Sequence, residues 1–230
     1  MAAKRSDARS KQSQRIDEPL QPEQGPHGEP PLSRERIVAI AVELLDAEGT
    51  GGLTMRRLAD RLGSGVMSLY WHVDNKEDVF DLALDSVLEY REPPQAIASG
   101  DWREEVVQML GDWRAGMLRH PWSASLLPRR ALGPNILGRL ELLGNALSRA
   151  GVADADLNVA IWSLWNYVMG ATITRANFDV PDHERAAAQQ RLEHLGERYP
   201  TIERSRLLLD DDWDGVFRRG LDFLLDGLVP

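Results

Sequence analysis

TMRRLADRLGSGVMSLYWHV, residues Thr54 to Val73, decides how this chain is to be read. Thr54 can cap a short helix running to about Leu62, Gly63 supplies a turn that needs a permissive backbone, and a second short helix is expected from about Gly65 to Trp71. Leu58, Ala59, Leu62, Val66, Leu69 and Val73 are apolar, as a helix-turn-helix requires if its second helix is to sit at a steep angle to its first. An ordinary helical hairpin would show the same periodicity. The polar residues separate the two readings, because Arg56, Arg57, Arg61, Tyr70, His72 and Lys76 are all donors to phosphate or base, gathered around two short helices.

Working outward, LSRERIVAIAVELLDAEG places Ser33 as a helix N-cap, Ile37, Ile40, Ala41, Leu44 and Leu45 at helical spacing, and Gly49 where a C-terminal cap belongs. On the other side Asp74 is expected to open a linking helix over about residues 74–91, with Glu77 completing a capping box and Val79, Phe80, Ala83, Val87 and Leu88 as its apolar stripe. Residues 1–32 are rich in Lys, Arg, Ser, Gln, Pro and Gly and nearly free of large apolar side chains, so a disordered arm is expected there. Its Lys4, Arg5, Arg9, Lys11 and Arg15 either reach into a minor groove or stay solvated, with Asp7, Asp17 and Glu18 diluting the charge. Beyond Pro93 and Pro94 helices are expected at about Asp101 to Arg119, Asn135 to Ala150, Asp154 to Phe178, Asp182 to Arg198 and Asp210 to Gly227. The fold class is therefore all-α. A three-helix DNA-reading domain over 33–78 precedes a helical bundle over 92–230.

Composition agrees. The net charge of -9 seems to oppose a nucleic-acid partner, but up to Val73 ten bases balance ten acids, leaving 17 bases against 26 acids afterwards. The excess lies wholly C-terminal to the reader, which suits a protein that presents one end to DNA. No run approaches the roughly 18 apolar residues of a membrane span, and no apolar leader opens the chain, so a soluble cytoplasmic protein without a membrane partner is expected. With no cysteine and five scattered histidines, neither a metal nor a cofactor is expected.

The stretch LTMRRLADRLGSGVMSLYWHVDNKEDV closely resembles the DNA-binding region of the tetracycline-repressor (TetR) family, LYWHV followed by NK being the most specific part. The likeness is strong over Arg34 to Leu88 and looser over WREEV, MLRHPW and RRGLDFLLDGL further on. It implies a homodimer whose bundle binds a small effector and thereby alters the separation of two recognition helices, releasing a palindromic operator. Thr54 is counted among the DNA-binding residues, and the resemblance also implies that Arg56 reaches a base or phosphate and that Val66, Met67 and Ser68 face base edges. Tyr70, Trp71, His72 and Lys76 would anchor to the sugar-phosphate backbone, although Trp71 could instead pack on the linking helix and His72 could merely cap the recognition helix. Val66 and Met67 stand where tetracycline-responsive members are polar, which favours thymine methyl groups over hydrogen-bonded readout.

Two faces of the bundle invite assignment. Trp213, Val216, Phe217, Gly220, Leu221, Leu224 and Leu228 step by three and four along the last helix, as burial in the same chain or contact with a second copy would require. The resemblance pairs that helix with Leu157, Ile161, Leu164 and Val168 of the long helix in a four-helix dimer interface. Met109, Trp113, Met117, Trp122, Trp162, Asn166 and Met169 are either plain core or the lining of an aromatic-rich effector pocket. His120 joins them by the resemblance or simply ends a helix before Pro121, while Glu92 falls near the place of the family's second metal-associated histidine, so a tetracycline-magnesium effector is not expected. The rival classes are an activator or architectural DNA-binding protein without an effector, and a helical-bundle enzyme. The second lacks any phosphate-binding glycine loop, HExxH pair or cysteine.

Overall fold

The computed structural model describes residues 31–89, 100–130, 132–177, 181–195, 197–205 and 212–228. The N-terminal arm, apart from its last two residues, the end of the linking helix, and Glu92, Pro93 and Pro94 lie outside them. Among the described residues every regular element is a helix.

Helix α1 (Arg34–Gly52) starts where expected, the Ser33 hydroxyl accepting the Arg36 N–H at 3.2 Å, and it kinks at Gly49, whose φ of 66° is the left-handed conformation glycine tolerates. In α2 (Met55–Leu62) Thr54 caps by accepting the Arg57 N–H at 3.2 Å. Gly63 turns the chain at φ 64° while the Ser64 N–H closes back to the Ala59 carbonyl at 3.0 Å, a Schellman ending. Helix α3 (Val66–Leu69) is only four residues long, shorter than expected, because the His72 and Val73 amides both fold onto the Leu69 carbonyl and end it in a turn. Leu58, Ala59, Leu62, Leu69 and Val73 are buried together with Ile37, Ala41 and Leu44 of α1, so the short helices are held by tertiary packing and not by their own length.

Helix α4 (Lys76–Val87) corrects one expectation. Its cap is Asn75, accepting the Asp78 N–H at 3.0 Å, and the residue that reaches back is Asp78, accepting the Asp74 N–H at 3.1 Å; the Asp74 and Glu77 pairing is off by one residue. Asn and Asp cap as well as Ser and Thr do, so the sequence offered two registers for one motif.

The bundle comprises α5 (Trp102–Arg119), α6 (Pro121–Leu126), a 3-10 turn (Leu127–Arg129), α7 (Pro134–Ala150), α8 (Leu157–Asn177), α9 (Asp182–His194), α10 (Pro200–Ser205) and α11 (Trp213–Leu228). Helix α5 lies centrally, packed on α7, α8 and α11, with Val106, Met109, Leu110, Trp113 and Met117 buried. Helix α6 was not expected: Pro121 reads as the end of a helix, yet it occupies the first turn of a new one, where its missing N–H costs nothing. Helix α8 begins three residues late because Ala153 to Asp156 form a turn, and α9 ends at His194, short of Arg198.

Candidate nucleic-acid interface

The outer surface around α3 is unlike the rest of the reading unit. Met67 is 75 % exposed, Tyr70 45 % and Trp71 88 %, and Ser68 is exposed beside them. Packing of Trp71 on the linking helix is thereby overturned, since an indole so exposed touches little of its own chain. Val66 behaves differently: it is half-buried against the core, so Met67 and Ser68 are the side chains this short helix presents most fully. His72 is half-buried at the turn after α3, and Lys76 holds its ammonium 5.1 Å from the Phe80 ring, at the first turn of α4.

The three arginines of α2 are not equivalent. Arg57 is bound to both carboxylate oxygens of Glu48 and to the Gly52 carbonyl at 3.0 Å, tying the start of α2 to the end of α1. The hydrogen bond from Arg57 also holds the Glu48 carboxyl below its ordinary range. Arg61 lies 3.6 Å from Glu43. Arg56 is exposed and has no ion pair or hydrogen bond among the described residues, which leaves its guanidinium available to phosphate.

Behind this surface, two polar attachments join the reading unit to the bundle. At the end of α1, the Asp46 carboxylate accepts from Trp122 Nε1 at 2.7 Å and pairs with His120 Nδ1 at 2.8 Å. A shallow cleft of about 300 Å³, lined by Leu45, Asp46, Gly49, Thr50, Pro121, Trp122 and Ser125, runs beside it. His120 and Trp122, expected near an effector, therefore sit at the junction of the two halves. Along α4, Arg130 binds Glu77 and lies 3.6 Å from Asp81. Burial pushes the Asp81 carboxyl up, against the opposing pull of Arg130. Asp85 and Arg139 complete this second attachment. Sequence reasoning passed over Asp81, Asp85, Arg130 and Arg139, although Arg139 stands in phase with the core positions Ile136 and Leu143, a charge on an apolar face that signals a specific pairing.

Within the bundle Met109, Trp113, Met117 and Met169 are buried, as pocket wall and plain core alike require. Trp113 meets Trp165 edge-on at 5.0 Å, and Trp165 meets Trp162 at 6.0 Å. Trp162 and Asn166 are exposed and share one face of α8 with Val159 and Ile173. In the last helix Phe217 and Leu221 are buried inside the chain, as are Leu164 and Val168 of α8. Leu157, Ile161, Trp213, Gly220, Leu224 and Leu228 are half-buried, and the large apolar side chains left outward on α11 are Val216 and Phe223. Gly220 admits the Tyr167 ring of α8, a Cβ there falling 2.0 Å from the Tyr167 hydroxyl, which donates to the Phe217 carbonyl at 2.9 Å. The close crossing made possible by that glycine is thus within one chain.

A four-residue helix set by a glycine turn, exposed aromatics around it and a helical bundle behind define a helix-turn-helix DNA-binding regulator. The comparisons make the class specific. Residues 37–83 match the family described as bacterial regulatory proteins, tetR family, and residues 94–229 match the tetracyclin repressor-like C-terminal domain. The chain is 39 % identical over 215 residues to an HTH-type transcriptional regulator of Saccharopolyspora erythraea, covering 91 % of this chain and 90 % of that one. It is 34 % identical over 221 residues to the HTH-type transcriptional repressor DrrR1 of Streptomyces coeruleorubidus, covering 90 % and 80 %. Among solved structures, the Streptomyces coelicolor TetR family protein ActR in complex with actinorhodin superposes with a TM-score of 0.71 at 30 % identity, over 87 % of this chain and 96 % of that one. The chain belongs to the TetR family of helix-turn-helix transcriptional regulators.

Proposed function

We propose that this regulator is a cytoplasmic, homodimeric repressor, not an enzyme, which leaves its operator when a small aromatic or hydrophobic effector enters the bundle. The reading unit spans residues 33–78 and the effector and dimerisation unit 92–230. Met67 and Ser68 read base edges, with Val66 supporting them from its half-buried place, while Thr54, Arg56, Tyr70, Trp71, His72 and Lys76 contact the sugar-phosphate backbone. The observation that carries this reading is the exposure of Met67, Tyr70 and Trp71 around a helix too short to need them for packing. A solvent-facing methionine suits thymine methyl groups, so an operator with A·T pairs under α3 is expected.

Support for the dimer comes from the matching outward faces of α8 (Val159, Trp162, Ile173) and α11 (Val216, Phe223), both apolar and both open in the single chain. The effector reading rests on the aromatic core around Trp113, with Met109, Met117 and Met169 beside it, and on the relative ActR, which binds actinorhodin. His120, Trp122, Trp162 and Asn166 are not assigned to the pocket, because their contacts or exposure place them elsewhere. Selection of bound fragments from random duplex DNA, followed by a screen of compounds for release of the recovered site, tests the whole. Recovery of no preferred sequence defeats the operator reading; a preferred sequence that no compound releases defeats the effector.

A further inference from the structure

Helix α4 carries the reading unit, and Arg130 together with the first turns of α7 grips it at successive turns. Arg130 holds Glu77 and lies over the Phe80 ring at 4.9 Å. One step further, the buried Asp85 carboxylate accepts the backbone N–H groups of Asn135 and Ile136 at 3.0 and 3.1 Å, capping the first turn of α7, while Asn135 Nδ2 returns a bond to the Asp85 carbonyl at 3.2 Å. At the far end Arg139 donates from Nε to the Leu88 carbonyl at 2.7 Å and from a terminal nitrogen to the Glu89 carbonyl at 3.2 Å. Those carbonyls follow the last turn of α4, where helical partners run out and a cation is favoured. Gly133 makes the approach possible, since a Cβ there would fall 2.3 Å from the Asp85 carboxyl carbon.

Arg139 has a second face. Its guanidinium lies over the Trp113 ring at 5.8 Å, and Trp113 is packed edge-on against Trp165. A planar cation that lies over one ring and donates to two carbonyls holds all three in register, which a flexible ammonium would not do. We propose that Arg139 is the joint of the molecule: a positioning residue through which displacement of the Trp113 indole is passed to the end of α4, and along α4 to α3. The step from an effector to Trp113 rests on the proposed effector site, but the step from Trp113 to α4 does not, and it is testable without any ligand.

The experiment is hydrogen exchange read by mass spectrometry on the full chain, without ligand or DNA, comparing wild type with Trp113→Phe, Arg139→Gln, the double variant and Arg139→Lys. Trp113→Phe keeps an aromatic ring in the core but alters its contact with the guanidinium. It is expected to speed exchange in peptides over α4 and α3 by about fivefold or more when Arg139 is present. In the Arg139→Gln background, where α4 is already loosened, it should add nothing there. Arg139→Lys can still reach one carbonyl and should restore part of the protection. Equal effects of Trp113→Phe in both backgrounds, or effects confined to bundle peptides, would overturn the proposal. Should Arg139→Gln fail to fold, Arg139→Lys serves as the background instead: there Trp113→Phe should speed exchange in the α4 and α3 peptides less than it does in wild type, and an equal effect overturns the proposal. Failure of operator selection would leave these outcomes intact, so the two readings fall separately.

Discussion

Met67 and Trp71 in the reading unit, and Met109 and Trp113 in the bundle, are the same residue types with opposite fates. The first pair stands almost bare to solvent, while the second has 0 and 2 % of its surface left. Hydrophobicity did not decide between them; the length and surroundings of the helix did. Helix α3 is four residues long and gives Leu69 and part of Val66 to the core, so Met67, and Trp71 just beyond its end, have nowhere inward to go. Helix α5 is 18 residues long and packed against four others, so Trp113 in its middle is absorbed. An exposed aromatic that packing could not use marks a surface completed by something outside the chain.

The sharpest way to break that contrast is to truncate both tryptophans. Trp113→Ala should lower the free energy of unfolding by about 3–5 kcal/mol, as removal of a buried aromatic does, seen as a fall in the urea midpoint. Trp71→Ala should leave the midpoint within about 0.5 kcal/mol of wild type. A large loss from Trp71→Ala would mean that its indole is structural after all.

Next in size is the interface between copies. Phe223, 67 % exposed on α11, and Trp162, 59 % exposed on α8, should behave as anchors of the second copy. Phe223→Asp is expected to weaken dimerisation by about 2 kcal/mol or more, measured by sedimentation equilibrium, with helicity retained. The buried Phe217 is the control: its truncation should cost stability first. A Phe223→Asp protein that dimerises as well as wild type would place the interface elsewhere.

Smaller again is the cost at the reading surface. Tyr70→Ala or Trp71→Ala should weaken binding to the selected operator about tenfold, near 1.4 kcal/mol, with unfolding unchanged. Thr54→Ala should act the other way round, removing a cap worth about 1 kcal/mol of stability and weakening operator binding only through the looser start of α2.

How much of this was legible beforehand follows from what each residue depends on. The turn at Gly63 and the caps at Ser33 and Thr54 are local, set by neighbours within five residues, and the buried set of the helix-turn-helix repeats at helical spacing although it packs on α1, so the sequence showed them. The roles of His120, Trp122, Asp85 and Arg139 are not local. His120 and Trp122 meet Asp46 across more than 70 residues, and Asp85 meets Asn135 across 50. Their chemistry was visible while their partners were not, so His120 and Trp122 were drawn to an effector. The apolar stripe of α11 is a different case: its periodicity is real, but a stripe shows that a face is covered and not by which chain. Only burial distinguishes Phe217, turned inward, from Phe223 one face round.

The arginines of α2 give the smallest and most discriminating test. As a sequence, Arg56, Arg57 and Arg61 are one basic cluster, and phosphate binding should draw on all three. In the structure Arg57 is already satisfied by Glu48 and the Gly52 carbonyl, whereas Arg56 carries its charge unengaged at the exposed start of the helix. A cation that neutralises one phosphate contributes a slope of about 0.9 to the dependence of log affinity on log salt. Arg56→Ala should therefore flatten that slope by close to one contact, with little change in unfolding. Arg57→Ala should flatten it by less and lower stability instead, because it releases the end of α1 and leaves Glu48 without its cation. Equal salt slopes for the two variants would show that the Glu48 clamp opens when DNA binds, and that the α1 to α2 contact belongs to the free protein alone.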